Sequence, residues 1–104
     1  MEIQIQVTTP DKEIAQAIAH DLVANRLAAC VQLIGPITST YWWEGKIESG
    51  EECLLLIKTT QDRYPEVEQT ILELHPYEVP EIIATEIRFG LAPYREWIRS
   101  ETGA

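Results

Sequence analysis

Positive charge is scarce in this chain. Eight lysines and arginines stand against seventeen aspartates and glutamates, for a net charge of −9. That balance excludes nucleic acid as a partner, because affinity for phosphate backbones rests on cationic contacts. An acidic surface draws cations only weakly and without selectivity. Cysteine is sparse too: Cys30 and Cys53 are the only two, too few for the disulfide framework of a small secreted domain. No C-x-x-C or H-x-x-x-H spacing occurs. No apolar run approaches the ~20 residues of a membrane helix. The first residues alternate polar and apolar instead of forming a charged-then-apolar leader, so no secretory signal is expected. Repeats, linkers and low-complexity segments are absent as well.

What is present suits one domain over residues 1–104, with 45% apolar residues to build a core. Residues 2–8 set Ile3, Ile5 and Val7 against Glu2, Gln4 and Gln6, the pattern of a half-buried strand. Thr8-Thr9-Pro10-Asp11 then opens a helix, with Thr9 expected as its N-cap and Pro10 as its first residue. Ile14, Ala15, Ile18, Ala19, Leu22 and Val23 form its apolar stripe, and Asn25 is expected to close it in a left-handed conformation. Further on, Asp62 caps a second helix to about Leu74, with Val67, Ile71 and Leu74 on its buried side. His75-Pro76-Tyr77-Glu78-Val79-Pro80 reads as a stiff connector. Glu81–Phe89 reads as a strand burying Ile82, Ile83 and Ile87, and Leu91–Arg99 as a short helix, with residues 100–104 frayed.

Between the first two helices lies the most informative stretch, Leu27–Thr60. It reads as one long β-hairpin turning at Glu44-Gly45. Each arm runs about 14 residues, against roughly 5–6 for an ordinary strand. If Trp43 pairs with Lys46 and no bulge intervenes, Tyr41 faces Glu48, Ile37 faces Glu52, Leu33 faces Leu56 and Val31 faces Lys58. Val31, Leu33, Leu54 and Leu56 then share one face, and Cys30, Ile34, Leu55 and Ile57 the other. Pro36 has no ladder donor, so a bulge or bend is expected at Gly35-Pro36. The cysteines lie roughly 20 Å apart at ~3.3 Å per residue, beyond the about 7 Å a disulfide tolerates. Two free thiols and a reducing, cytoplasmic setting follow. Apolar residues on both faces need two covers, and for so short a chain the second is most simply another subunit. The exposed aromatics at the tip, Tyr41, Trp42 and Trp43, mark a contact surface.

Strand, helix, strand, strand, helix, strand, helix describes an α+β chain: a ferredoxin-like βαββαβ sandwich with a long β-hairpin and an extra C-terminal helix. That fold hosts many functions, so each is argued from residues. A thiol metal carrier of this fold needs C-x-x-C in the first loop, and a small phosphatase needs an arginine there. Thr8-Thr9-Pro10-Asp11-Lys12 supplies neither. An RNA-recognition module needs aromatics on the first strand, which has none. A Cys–His pair from Cys30 or Cys53 with His20 or His75 is weaker than its alternative, inert buried thiols. No nucleophile, base and oxyanion donor converge, so the expectation is no enzyme. The connector is the best candidate site, because imidazole and carboxylate both bind divalent cations. Its alternative is structural: a helix-terminal His75 favoured by the macrodipole, with Glu78 in an ion pair.

Leu27-Ala28-Ala29-Cys30-Val31, Tyr41-Trp42-Trp43-Glu44-Gly45-Lys46, Lys58-Thr59-Thr60 and His75-Pro76-Tyr77-Glu78-Val79-Pro80-Glu81-Ile82, with Tyr94 and Trp97 following, together resemble the CutA family of divalent-ion tolerance proteins. The resemblance covers nearly the whole chain. It implies a homotrimer with the hairpins packed between subunits, clefts like those of PII signalling proteins, and a response to copper or another divalent metal ion with no organic cofactor. It implies Cys30, His75 and Glu78 as metal-site residues, and Tyr41, Trp42, Trp43, Tyr77, Tyr94 and Trp97 as cleft or interface residues. Some relatives carry further cysteines in the first helix and the connector. This chain has none there, so a three-thiol copper site is not carried over. Metal tolerance by a copper-binding, non-catalytic trimer is the leading expectation. Signalling by a PII-like trimer that binds a small-molecule ligand in its intersubunit clefts is the alternative.

Overall fold

Three segments with period-two patterning and one short edge strand assemble into a single sheet in a computed structural model that describes residues 1–103. The strands are β1 (Glu2–Thr9), β2 (Cys30–Trp43), β3 (Lys46–Thr60) and β4 (Ile82–Glu86). They are all antiparallel, in the order β2-β3-β1-β4. Helices α1 (Lys12–Ala24) and α2 (Tyr64–Leu74) cover one face, and α3 (Ala92–Glu101) packs against β1 and β3. The core is Ile3, Ile5 and Val7 with Leu55 and Ile57 from the sheet, closed by Ala15, Ile18 and Leu22 of α1 and Val67 and Ile71 of α2. This is the expected ferredoxin-like arrangement.

The hairpin turns where expected. Glu44 and Gly45 both take positive φ, 49° and 77°, the pairing a tight two-residue hairpin loop requires. From the tip inward Trp43 meets Lys46, Tyr41 meets Glu48 and Ile37 meets Glu52. At Gly35-Pro36 the ladder is interrupted, and below it the unbulged register is wrong by one residue. Leu33 meets Leu55, Val31 meets Ile57 and Cys30 meets Lys58. Pro36 cannot donate, and the irregularity absorbs it. Because side chains alternate, a one-residue slip exchanges faces. Val31 and Leu33 therefore join Leu55 and Ile57 under the helices, while Cys30 and Ile34 join Leu54 and Leu56 on the opposite face. Both cysteines are free thiols.

Several boundaries move for local reasons. Thr9 does not cap α1: it stays in β1, fully buried, and its hydroxyl donates to the Asp11 carbonyl. Asp11 is the cap, its carboxylate accepting the Ile14 N–H at 2.9 Å. Asn25 keeps φ at −92° while its side-chain amide reaches back to the Asp21 carbonyl, so the left-handed residue is Arg26 at φ 60°. Asp62 lies in a 3-10 turn, Gln61–Arg63, that precedes α2. Leu74 is part-exposed at the helix end. The last strand ends at Glu86, because its partner β1 begins at Glu2. Ile83 is 52% exposed on the face away from α1 and α2. Ser100–Gly103 do not fray: α3 runs to Glu101, Thr102 is buried, and the Thr102 and Gly103 carbonyls accept from the Arg63 guanidinium. Ala104 lies outside the described residues.

One polar contact was invisible in the strand pattern. Glu2, read as a solvent-facing residue, is 2% exposed. Its carboxylate accepts from Arg95 Nε at 2.7 Å and from Arg99 Nη1 at 2.8 Å, so α3 is clamped to the start of β1. The Arg99 hydrogen bond, reinforced by Arg95 and opposed by burial, holds the Glu2 carboxyl below its ordinary 4.5. A lowered folded value adds stability above the unfolded value, and that stability is lost as pH falls through the folded value. Glu2→Gln should lower unfolding free energy at neutral pH by about 1.5–3 kcal/mol, the range for hydrogen bonds to charged groups. Denaturant unfolding at fixed protein concentration checks this, and the gap from wild type should narrow in acid.

Candidate functional site

α2 ends because Pro76 disfavours helical backbone at the residue before it, and His75 accordingly turns extended. Its own N–H still reaches the Ile71 carbonyl. The side chain swings under the sheet end and is 7% exposed. Nε2 lies 2.7 Å from the Thr8 carbonyl oxygen. A carbonyl only accepts, so Nε2 carries the proton. Nδ1 then accepts the Tyr77 N–H at 3.1 Å. The imidazole is neutral, its tautomer is set by its partners, and no lone pair is left over. The Tyr77 ring packs on it at 4.7 Å between centroids, tilted by 54°.

His75, expected as a metal-site residue, has both ring nitrogens on backbone partners, Nε2 with the Thr8 carbonyl of β1 and Nδ1 with the Tyr77 amide of the connector. Glu78, two residues beyond Pro76, is exposed. Cys30 stands elsewhere. It pairs with Lys58, which pairs with Gln4 of β1, whereas His75 bonds Thr8. Four residues of strand separate those rows, about 13 Å at ~3.3 Å each. Among the described residues no group of three or more His, Cys, Asp or Glu side chains is placed to hold an ion. Within the single chain the expected donors Cys30, His75 and Glu78 are therefore not gathered into one ligand set.

What the chain does assemble is a cleft of about 940 Å³ between α1 and the bend of the hairpin. Leu33 and Cys53 line its sheet side, Lys12 and His20 its α1 side, and Asp11 and Glu52 also border it. The bend depends on Gly35: a Cβ there would sit 3.1 Å from Cys53 Sγ. Tyr77 does not line this cleft, but two of its border residues, Glu52 and Asp11, act on the Tyr77 phenol. Burial raises its phenol pKa, and the nearby charge of Glu52, then Tyr41 and Asp11, raises it further. Sequence reading missed the cleft, because its walls meet only after the hairpin bends over α1. The prolyl-bend signal at Gly35-Pro36 was the one clue.

The aromatic residues are surface. Trp42 is 73% exposed, and Tyr41, Trp43 and Ile47 are also exposed at the hairpin tip. Tyr94 and Trp97 stack at 5.5 Å on α3, both exposed, near exposed Phe89 and Leu91.

The profile of the family described as CutA1 divalent ion tolerance protein matches residues 3–101. The chain belongs to that family. It is 44% identical to the divalent-cation tolerance protein CutA of Thermus thermophilus over 103 residues, covering 99% of this chain and 100% of that one. It is 46% identical to human protein CutA over 96 residues, covering 92% of this chain and 54% of the human protein, so it spans about half of that longer relative. The solved structure of the Thermus thermophilus divalent cation tolerance protein superposes with a TM-score of 0.96 at 44% identity, covering 99% of this chain and 100% of that one. That of Archaeoglobus fulgidus, described as a periplasmic divalent cation tolerance protein CutA, superposes at 0.94 with 38% identity, covering 98% and 99%. No helix among the described residues is long and apolar enough to cross a membrane.

Removing the imidazole orphans the Thr8 carbonyl and the Tyr77 amide together. His75→Ala should destabilise the fold by about 1–3 kcal/mol, the cost of buried polar groups left unpaired. His75→Ala and wild type compared by denaturant unfolding check it, and a loss below about 0.5 kcal/mol, ordinary for a surface substitution, contradicts the structural role.

Proposed function

We propose that this CutA-family chain acts in divalent-cation tolerance as a homotrimer that binds copper or another divalent ion and catalyses no reaction. The observation that carries the assembly is the uncovered apolar surface of the hairpin. Ile34, Trp42, Trp43 and Ile47 of β2 and β3 are all exposed in the single chain, and so is Ile83 on β4 at the other edge of the sheet, large apolar side chains of the kind that mark an interaction surface when left in water. Two-sided burial of β2 and β3 needs a second cover, and copies of the same chain in closed symmetry provide it.

The reading of function rests on the family and on the tolerance role named for its relatives. Metal enters it with a restriction. Since one subunit does not gather a ligand set, an ion bound selectively takes its donors from more than one copy. The donors still free for that are the Cys30 thiol and the Glu78 carboxylate. Two free thiols favour a reducing compartment, hence the cytoplasm, although the Archaeoglobus relative is called periplasmic. A second reading, signalling by a PII-like trimer that binds a small-molecule ligand in its intersubunit clefts, draws what support it has from the open α1–hairpin cleft of the single chain.

Light scattering on the eluting protein should give a mass near three times the 11.9 kDa chain, and Trp43→Ala with Ile34→Glu should shift it toward one chain. Calorimetric titration with Cu(I), Cu(II) and Zn(II) then tests the metal. Saturable copper binding lost in Cys30→Ser or Glu78→Gln, and kept in His75→Asn, supports the shared site. Weak binding, alike for all three ions and unchanged in every variant, leaves only the acidic surface attracting cations and favours the cleft.

A further inference from the structure

One side of α1 and one flank of the hairpin stand apart with the cleft between them. Lys12, Gln16, Ala19 and Val23 recur at intervals of three and four residues, so they share that side of the helix. Leu33 of β2 and Glu51, Glu52 and Cys53 of β3 form the opposite wall. The sheet register orders the space lengthwise. Thr9 pairs with Cys53, so Lys12, three residues on, and Glu51 and Glu52, next to Cys53, stand at the same end. Val23 lies about 16 Å farther along α1 at ~1.5 Å per residue. Leu33 pairs with Leu55, which is level with Val7 of β1. The cleft therefore has a charged head and an apolar floor, the floor built from Ala19, Val23 and Leu33. The charges of the head are unspent. Among the described residues Lys12 joins no carboxylate, and Glu51 and Glu52 join no cation. Asp11 differs, because its carboxylate is committed to the Ile14 N–H.

We propose that the α1–hairpin cleft binds a zwitterionic α-amino acid with an apolar side chain. Its carboxylate pairs with Lys12, its ammonium with Glu51 and Glu52, and its side chain lies along Ala19, Val23 and Leu33. The other small-molecule classes fit the head less well. A simple anion meets one cation and two carboxylates. A simple cation leaves Lys12 unanswered and repelled. A nucleotide brings several negative charges to a single lysine. A hydrocarbon strips water from charges that it cannot pair. A molecule carrying both signs one carbon apart, with an apolar tail, answers each group in turn. The cleft volume of about 940 Å³ admits such a ligand, falling within the roughly 300–1,000 Å³ of small-molecule sites. The head is open to water, so its ion pairs are screened and binding is modest. The proposal deepens the small-molecule signalling reading and rests on it. It needs no metal and leaves the tolerance reading untouched.

The test is a titration of the full-length, assembled protein with leucine, followed by proton–nitrogen correlation spectra. Saturable shifts are expected at the amides of α1, Leu33 and Glu51 to Cys53. Leucinamide lacks the carboxylate and 4-methylpentanoate lacks the ammonium. Each should bind about tenfold more weakly or worse, the loss of one charge-assisted contact. Glycine keeps both charges without the tail and should also bind more weakly. Lys12→Gln should abolish the preference for leucine over leucinamide, and Glu51→Gln with Glu52→Gln the preference over 4-methylpentanoate. None of these three side chains is buried, so the variants should fold. The proposal is overturned if no saturable shift appears, if the one-charge analogues bind as well as leucine, or if the variants leave both preferences intact. Saturable leucine shifts that map to another surface also overturn it, while leaving the small-molecule reading standing.

Discussion

Pro36 has no amide hydrogen to give to β3, and much of the molecule's organisation descends from that missing donor. The ladder of the hairpin is intact from Trp43–Lys46 to Ile37–Glu52, breaks at Gly35-Pro36, and resumes one residue out of step at Ile34–Leu54. The slip sends Val31 and Leu33 to the helices and turns Cys30 away from them. The same bend brings Gly35 against Cys53 and opens the cleft beside α1. A hairpin without it would present a different cysteine face and no cavity at that place.

The second constraint is electrostatic. Cations are few, and four of the five arginines are spent around α3. Arg95 and Arg99 grip Glu2, Arg26 pairs with Glu101 at 2.6 Å, and Arg63 donates to the Thr102 and Gly103 carbonyls. Arg26–Glu101 is exposed and contributes little. The Glu2 cluster differs, because its carboxylate is enclosed: losing one arginine unpairs one of its oxygens, and losing both leaves a buried charge uncompensated. α3 is thus held by charge and by buried Ile98, while its Tyr94–Trp97 stack stays outward with the aromatic hairpin tip. The single chain leaves both of these aromatic surfaces exposed.

The connector joins these two halves. His75 bonds β1, carries Tyr77, and through Tyr77 reaches the charges at the cleft. Its residue types, imidazole then carboxylate, had pointed to a cation. In the fold the imidazole is a two-sided hydrogen-bonding pin, Nε2 on the Thr8 carbonyl and Nδ1 on the Tyr77 amide. The family membership and the tolerance role of relatives are unaffected. Among the described residues of the single chain, no group of three or more His, Cys, Asp or Glu side chains is gathered for an ion.

Much was legible from the residues alone, because it depends on neighbours in the chain. Period-two alternation in Glu2–Thr9, the Glu44-Gly45 turn, the apolar stripe of α1 and the Pro76 stop of α2 are local, and each stands where local chemistry puts it. The order of these elements and the family strings follow from the same information. Three features did not follow. The face of Cys30 turns on a one-residue slip. The burial of Glu2 depends on an arginine 93 residues away. The two ring nitrogens of His75 are engaged by the Thr8 carbonyl, 67 residues distant, and by the Tyr77 amide. Periodicity carries no knowledge of partners that far off, so only the tertiary structure could decide which side chains were free to act.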